Sequence, residues 1–144
     1  MSLDGSYDAG NIFAKIIRGE APCAKVYEDD DVLAFLDLFP QGRGHTLVIP
    51  KASGARNLLD VDPAVLSRLI LGVQKVAAGV RKALDPDGLV VTQFNGAPAG
   101  QTVYHLHFHI IPRFDGVALA GHGGGRMADA GELAALAQEI GARI

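Results

Sequence analysis

Three of the chain's five histidines stand on alternate positions of one short run, "YHLHFHIIPR", as His105, His107 and His109. In an extended strand successive side chains turn to opposite faces, so these three share one face at a spacing of about 6.5–7 Å. Leu106, Phe108 and Ile110 then turn toward the core. An imidazole near neutral pH can attack as a nucleophile, carry a proton, or hold a metal. A His-x-His strand can bind Zn²⁺, and that reading stays open, although no carboxylate lies between Gln93 and Arg113 to complete a mixed ligand set. A row of solvent-facing histidines on an edge strand is the inert alternative. The chemistry that would use all three is phosphoryl transfer. One neutral ring attacks while its neighbours orient it, donate to phosphate oxygens or protonate a leaving group.

The elements that would position these rings can be read from pattern. Asn11 caps a predicted short helix, Ile12 to Arg18, which Gly19 stops. A hairpin follows, with strands Lys25–Glu28 and Val32–Leu38 around an Asp29–Asp31 turn. Pro40, Gly42 and Gly44 break the chain before a third strand, His45 to Lys51. Asp62-Pro63 opens a long helix whose apolar stripe runs Leu66, Leu69, Ile70, Val73, Val76, Ala77, Val80, Leu84, with "DPDG" closing it. That helix should cover one sheet face. Gly88–Phe94 and Tyr104–Ile111 supply a fourth and fifth strand, and Glu132–Ile140 a final helix. The stretch between, "FDGVALAGHGGGR", is glycine-rich and reads as a loop, with His122 as a loop histidine. No internal repeat or linker interrupts this order. One α+β domain with a mostly antiparallel sheet is the expected assembly.

Bulk composition narrows the function classes. The 144 residues are 49% hydrophobic and 20% charged, which is globular, and enough chain for one core. A formal net charge of −3 argues against a dedicated nucleic-acid binder. The single cysteine, Cys23, can form no internal disulfide. The N-terminus lacks a signal-peptide pattern, and no uninterrupted apolar stretch approaches the roughly 20 residues of a membrane span. The expected setting is the cytoplasm, without a membrane partner.

At the level of whole motifs the chain resembles the histidine-triad (HIT) family. "HLHFHII" is similar to its His-x-His-x-His pattern followed by two apolar positions. "NIFAKIIRGEAPCAKVYEDDDVLAFLD" and "GHTLVIPK" resemble the Hint branch, and "GQTV" before the triad fits as well. The resemblance spans Asn11 to Arg113. It implies a single HIT domain over residues 1–144, with a core of about residues 11–113 and a glycine-rich loop and C-terminal helix in residues 114–144. The implied fold is a five-stranded antiparallel sheet with one long and one or two short helices, paired into a homodimer with a continuous sheet.

The resemblance also implies an activity: hydrolysis or transfer at the α-phosphate of a purine nucleotide, through a nucleotidyl-histidine intermediate, with no cofactor and no catalytic metal. His107 would be the nucleophile. His109 and His45 would contact phosphate or ribose-side oxygens, and His105 would join the relay that orients His107. Asn95, Gln101 and Thr102 would bind phosphate oxygens or the bridging atom, with Gly100 allowing close backbone approach. Asp37 would hold the ribose hydroxyls, and Ile12, Phe13, Ile16 and Leu38 the purine. Asn11 and Ala14 stand where some bacterial relatives carry zinc-binding cysteines, so no structural zinc is expected. Lys51 and Arg113 read either as contributors to the local potential or as solvated charges.

"GAPAGQTVYHLHFHIIPR" is similar to the Fhit branch instead, and the chain has no tryptophan to match the tail of Hint. The Hint-like N-terminal half implies a purine nucleoside 5′-phosphoramidate as substrate, yielding AMP or GMP. A dinucleoside polyphosphate is the alternative substrate, and a nucleotide-binding sensor with little turnover the alternative of another class.

Overall fold

The computed structural model describes residues 2–120 and 126–144; His122 lies outside them. Five antiparallel strands form one sheet in the order β1-β2-β3-β5-β4. They are β1 Lys25–Glu28, β2 Val32–Leu36, β3 Thr46–Pro50, β4 Gly88–Thr92 and β5 Phe108–Arg113. The helices are α1 Ile12–Ile17, α2 Pro63–Leu84 and α3 Ala130–Gly141, and a short 3₁₀ turn at Ala97–Ala99 was not anticipated. The α+β architecture and its antiparallel sheet are therefore as expected.

Alternation along the central strands builds two cores. Val32, Ala34 and Leu36 of β2, Val48 of β3 and Ile110 of β5 face α2 and α3, packing on Leu69, Val73, Val76, Val80, Leu133 and Ile140. Leu33, Phe35, Leu47 and Ile49 face the other way, onto Phe13 of α1. Each such buried side chain contributes about 1.5–3 kcal/mol. β2 and β3 are buried on both faces, which is why they read as continuous apolar runs.

By length and composition α2 would suffice for a membrane span, although it holds no uninterrupted apolar stretch of that length. Leu69, Val73, Val76 and Val80 bury its stripe against the sheet, and Arg68, Lys75, Arg81 and Lys82 interrupt the rest. Its capping follows the sequence: Asp62 Oδ1 accepts the Ala64 N–H, Pro63 occupies the first turn, and Asp85 ends the helix at φ 47°. α3 is longer than expected because Asp129 caps it through the Glu132 N–H.

β3 is one residue shorter than expected at each end and β4 stops at Thr92, before Phe94; larger differences, at the end of β2 and the start of β5, shape the site. β2 stops at Leu36: the Asp37 N–H still bonds the His45 carbonyl in register (3.0 Å), but the His45 N–H turns to the Gly42 carbonyl (3.2 Å) and Asp37 Oδ1 accepts the Phe39 N–H (2.9 Å). Asp37 and Leu38 thus belong to a loop. β5 starts at Phe108, not Tyr104, because the Leu106 N–H bonds the Ala55 carbonyl (3.0 Å) outside the sheet. At its far end β5 continues through Pro112 to Arg113. β3 pairs only with Phe108–Ile110, so the missing N–H of Pro112 falls beyond that ladder.

Candidate active site

The sequence places His105 and His107 in the irregular segment just before β5 and His109 within it, opposite Leu47 of β3 and Thr92 of β4. All three are buried, as is His45 at the start of β3. A buried imidazole needs partners for both nitrogens, and those partners fix which nitrogen carries the proton.

Two chains of hydrogen bonds do so. A carbonyl only accepts, so His105 Nε2–H donates to Pro50 O (3.1 Å), and its Nδ1 then accepts the Tyr7 hydroxyl (2.6 Å). His107 Nδ1–H donates to the backbone carbonyl of His105 (2.7 Å). In the neutral ring this leaves the lone pair of His107 on Nε2. In the second chain the Gln41 N–H donates to His45 Nδ1 (3.0 Å). His45 Nε2–H therefore donates to His109 Nδ1 (2.9 Å), and His109 carries its proton on Nε2. The ring with its lone pair on Nε2 and the neighbouring ring with its proton on Nε2 stand with centroids 5.0 Å apart. Burial pushes the His105 pKa below its ordinary value, with the Pro50 carbonyl pulling weakly the other way.

His107 and His109 form the polar end of a cavity of about 300 Å³, within the range of small-ligand sites. Its apolar walls are Ile12, Phe13 and Ile16 of α1, with Phe35, Leu36, Leu38, Phe39, Leu47 and Val103; Asp37, Thr102, Pro22 and Cys23 complete the rim. Phe13 meets the His107 ring edge-on at 4.9 Å and the Phe35 ring at 5.3 Å, so one aromatic braces both the wall and the nucleophile candidate.

The sequence matches the HIT domain family over residues 18–116. The chain belongs to the HIT domain family. The structure superposes on a HIT-like protein from Bartonella henselae with TM-score 0.91 and 51% identity, covering 97% of this chain and all of that one. A histidine triad nucleotide-binding protein from Sulfolobus tokodaii matches with TM-score 0.82 and 34% identity, over 91% of this chain and 89% of its own. Among curated relatives, the adenylylsulfatase HINT3 of Arabidopsis thaliana is 43% identical over 102 residues, 71% of this chain and 51% of that protein.

Of the residues singled out by sequence in this HIT chain, Ile12, Phe13, Ile16, Asp37, Leu38, Thr102, His107 and His109 line the cavity together. His45 lies beneath them, bonded to His109 and 3.5 Å from Asp37 Oδ2. His105, Asn95, Gly100 and Gln101 do not line it. Gln101 is buried, its amide spent on the Arg56 and Val103 carbonyls while its Oε1 takes the Gly96 N–H. Asn95 Oδ1 accepts from Leu58 N–H and Gln93 Nε2. Gly100 takes φ 113°, the left-handed geometry that ends the 3₁₀ turn. These three shape the loop that carries Thr102 to the rim. Lys51 pairs with Glu28 (2.7 Å), and Arg113 lies at the far end of β5.

Pro22, Cys23, Phe35, Leu36, Phe39, Leu47 and Val103 are lining residues that sequence reading did not assign, since an apolar wall residue looks like any core residue. Tyr7 was also missed. It lies outside every regular element, and nothing local in the sequence marks a contact 98 positions away.

Asp37, His45 and His109 offer ligand atoms within 4.8 Å of one another, which raises the question of a metal. The hydrogen bonds do not suit one. His45 Nδ1 already accepts a backbone N–H, so its Nε2, the atom facing Asp37 and His109, is protonated in the neutral ring. Ligation there would require an imidazolate or loss of the Gln41 bond. Metal-bound histidine ordinarily uses the opposite polarity, donating from its outer nitrogen.

Proposed function

We propose that this HIT protein cleaves the α-phosphate linkage of purine nucleoside 5′-phosphoramidates or related nucleotides through a covalent nucleotidyl-histidine. The observation that carries the reading is the tautomer of His107. With Nδ1–H held by the His105 carbonyl, Nε2 keeps its lone pair at the polar end of an apolar slot. Nε2 attacks the α-phosphorus, and the bond from phosphorus to the leaving nitrogen or oxygen breaks. The departing group takes a proton from solvent, while His109 Nε2–H donates to a phosphate oxygen. Water then attacks the phosphorus and gives up a proton to solvent, the P–N bond to His107 breaks with its electron pair returning to Nε2, and the nucleoside monophosphate leaves. No metal is required in this scheme: positioned donors supply the charge stabilisation. In this reading Asp37 accepts the ribose hydroxyls, and the Ile12, Phe13, Ile16 and Leu38 wall receives the purine. Asn95, Gly100 and Gln101 act by shaping the Thr102 loop.

Adenosine 5′-phosphoramidate, adenylyl sulfate and a diadenosine polyphosphate share the adenylyl half and differ only in the leaving group. The adenylylsulfatase among the relatives motivates the second, and the similarity to the Fhit branch the third. Turnover of the three side by side ranks the leaving groups. Denaturing quench with an α-³²P-labelled substrate should trap label on the wild-type chain and none on His107→Ala. Labelled product formed at wild-type rate by both His107→Ala and His107→Asn would remove His107 as nucleophile. AMP binding with no turnover of any of the three would support a sensor instead.

A homodimer forms part of the proposal. Among the described residues β4 is an edge strand bonded to β5 alone, and its Val91 is 46% exposed. An open edge of this kind is a ready surface for pairing two sheets. Sedimentation at micromolar concentration distinguishes the dimer from the monomer.

A further inference from the structure

We propose that Tyr7 is a positioning residue for the nucleophile, acting through His105. The inference rests on the reading of His107 given above. Tyr7 belongs to the irregular segment before α1 and does not line the cavity. Its hydroxyl donates to His105 Nδ1 at 2.6 Å, and Pro50 O holds the other nitrogen of that ring at 3.1 Å. The His105 ring is thus fixed at two points, one on the end of β3 and one on the N-terminal segment. The backbone carbonyl of the same residue receives His107 Nδ1–H. Holding the ring therefore holds the carbonyl that sets the nucleophile's tautomer.

The segment carrying Tyr7 is itself tied down. Arg56 donates to the Ser6 and Ser2 carbonyls, both at 3.2 Å, and Asn57, fully buried, donates to the Leu3 carbonyl at 3.1 Å. Gly54 leaves room for the ring: a Cβ there would lie 3.3 Å from Tyr7 Cδ2. The same short loop also accepts the Leu106 N–H at Ala55 and the Gln101 amide at Arg56. One loop thus fixes both the segment that bears Tyr7 and the segment that bears His105.

Losing the Tyr7 hydroxyl leaves His105 Nδ1 buried without its donor, and the ring is held at one point only. The test is Tyr7→Phe, which keeps the ring and removes only the donor. Long-range ¹H–¹⁵N spectra of the imidazoles report tautomers directly, without turnover. In the wild type His107 should show a protonated Nδ1 and an unprotonated Nε2, and in Tyr7→Phe an average of the two tautomers. With adenosine 5′-phosphoramidate as substrate, kcat should fall about tenfold, the size of one ordinary hydrogen bond expressed in a barrier. KM should stay within about twofold, since Tyr7 does not line the slot. Unchanged His107 signals in a variant whose melting temperature falls would reduce Tyr7 to a structural contact and overturn the proposal. So would an unchanged kcat, or a raised KM with kcat retained. Should the wild type turn over no nucleotide, the hydrolase reading fails, and the imidazole spectra still decide the role of Tyr7.

Discussion

His45 Nε2 and His109 Nδ1 lie 2.9 Å apart with both rings buried, and the Gln41 N–H on the far side of His45 sets the direction in which that bond points. His45 is thereby the donor and His109 the acceptor, and the proton left on His109 Nε2 follows from a backbone amide two links away. Removing His45 leaves His109 Nδ1 without a donor, at a cost of about 1–3 kcal/mol. His45→Ala should therefore lower kcat about tenfold to a hundredfold. His109→Ala combined with it should cost less than the sum, because the two act as one unit. Strictly additive losses in a double-mutant cycle on kcat would show that the bond does not matter to turnover.

Asp37 uses one oxygen, Oδ1, to hold its own loop through the Phe39 N–H, while Oδ2 lies 3.5 Å from His45 Nε2. Asn at this position keeps a side-chain acceptor for the loop and loses the charge. Hydrogen bonds to a charged group are worth about 1.5–3 kcal/mol, so Asp37→Asn should raise KM for a ribonucleotide by about tenfold or more. The corresponding 2′,3′-dideoxynucleotide should not distinguish the variant from the wild type. Equal KM increases for both substrates would assign Asp37 to the loop alone.

Much of this arrangement could be read from sequence, and the part that could not has a physical cause. The alternation of His107 and His109 against Leu106, Phe108 and Ile110 held even though β5 begins only at Phe108, whereas His105 lies in a bend and turns its ring to Pro50 and Tyr7 instead of the cavity. Asn11, Asp62 and Pro63 announced their helices through local capping chemistry. Gln101 illustrates the limit. Its amide type suited a phosphate ligand, yet burial forces it to satisfy backbone groups at Gly96, Arg56 and Val103, a demand no local pattern reveals. Tyr7 fails for the same reason in reverse, since its partner is set by the packing of distant loops.

Stability should fall on the acid side through His105. Burial holds its pKa below the ordinary 6.5, so the folded ring resists a proton that the unfolded chain accepts. Above pH 6.5 both states are neutral, and this contribution to stability is complete. As pH falls below 6.5 the unfolded state binds more protons, and stability declines until the folded pKa is reached. Glu28, lowered from 4.5 first by its hydrogen bond to Lys51 and then by Lys25, contributes only at more acidic pH. Urea unfolding between pH 7.5 and 5.5 should show a slope in the wild type that shrinks in His105→Asn. Parallel curves would place the titration elsewhere.

Gly44 joins backbone conformation to the site, since it takes φ 87° immediately before His45. A Cβ there would overlap the Leu84 side chain of α2 and approach Pro112 Cγ to 3.1 Å. Left-handed geometry costs a non-glycine residue about 1–2 kcal/mol. Overpacking adds about 1–3 kcal/mol. Gly44→Ala should therefore lower the urea midpoint without changing the slope, by an amount corresponding to about 2–5 kcal/mol. Gly88→Ala, where nothing lies within 4 Å, is the matched control and should change little.

Cys23 offers a test of cavity occupancy that needs no turnover. Its thiol lines the same slot as His107, and burial pushes its pKa above the ordinary 9.0, with Lys25 opposing weakly. The thiolate is the reactive form, so alkylation by iodoacetamide should be slow at pH 7.5 and rise steeply toward pH 10. A nucleotide seated against Ile12, Phe13 and Ile16 would cover the thiol as well. With AMP at about ten times its dissociation constant only about one site in eleven is free, so alkylation should slow about tenfold. Inorganic phosphate, which can reach the histidines without filling the apolar wall, should protect far less. Equal rates with and without saturating AMP would mean that the base lies somewhere other than this slot.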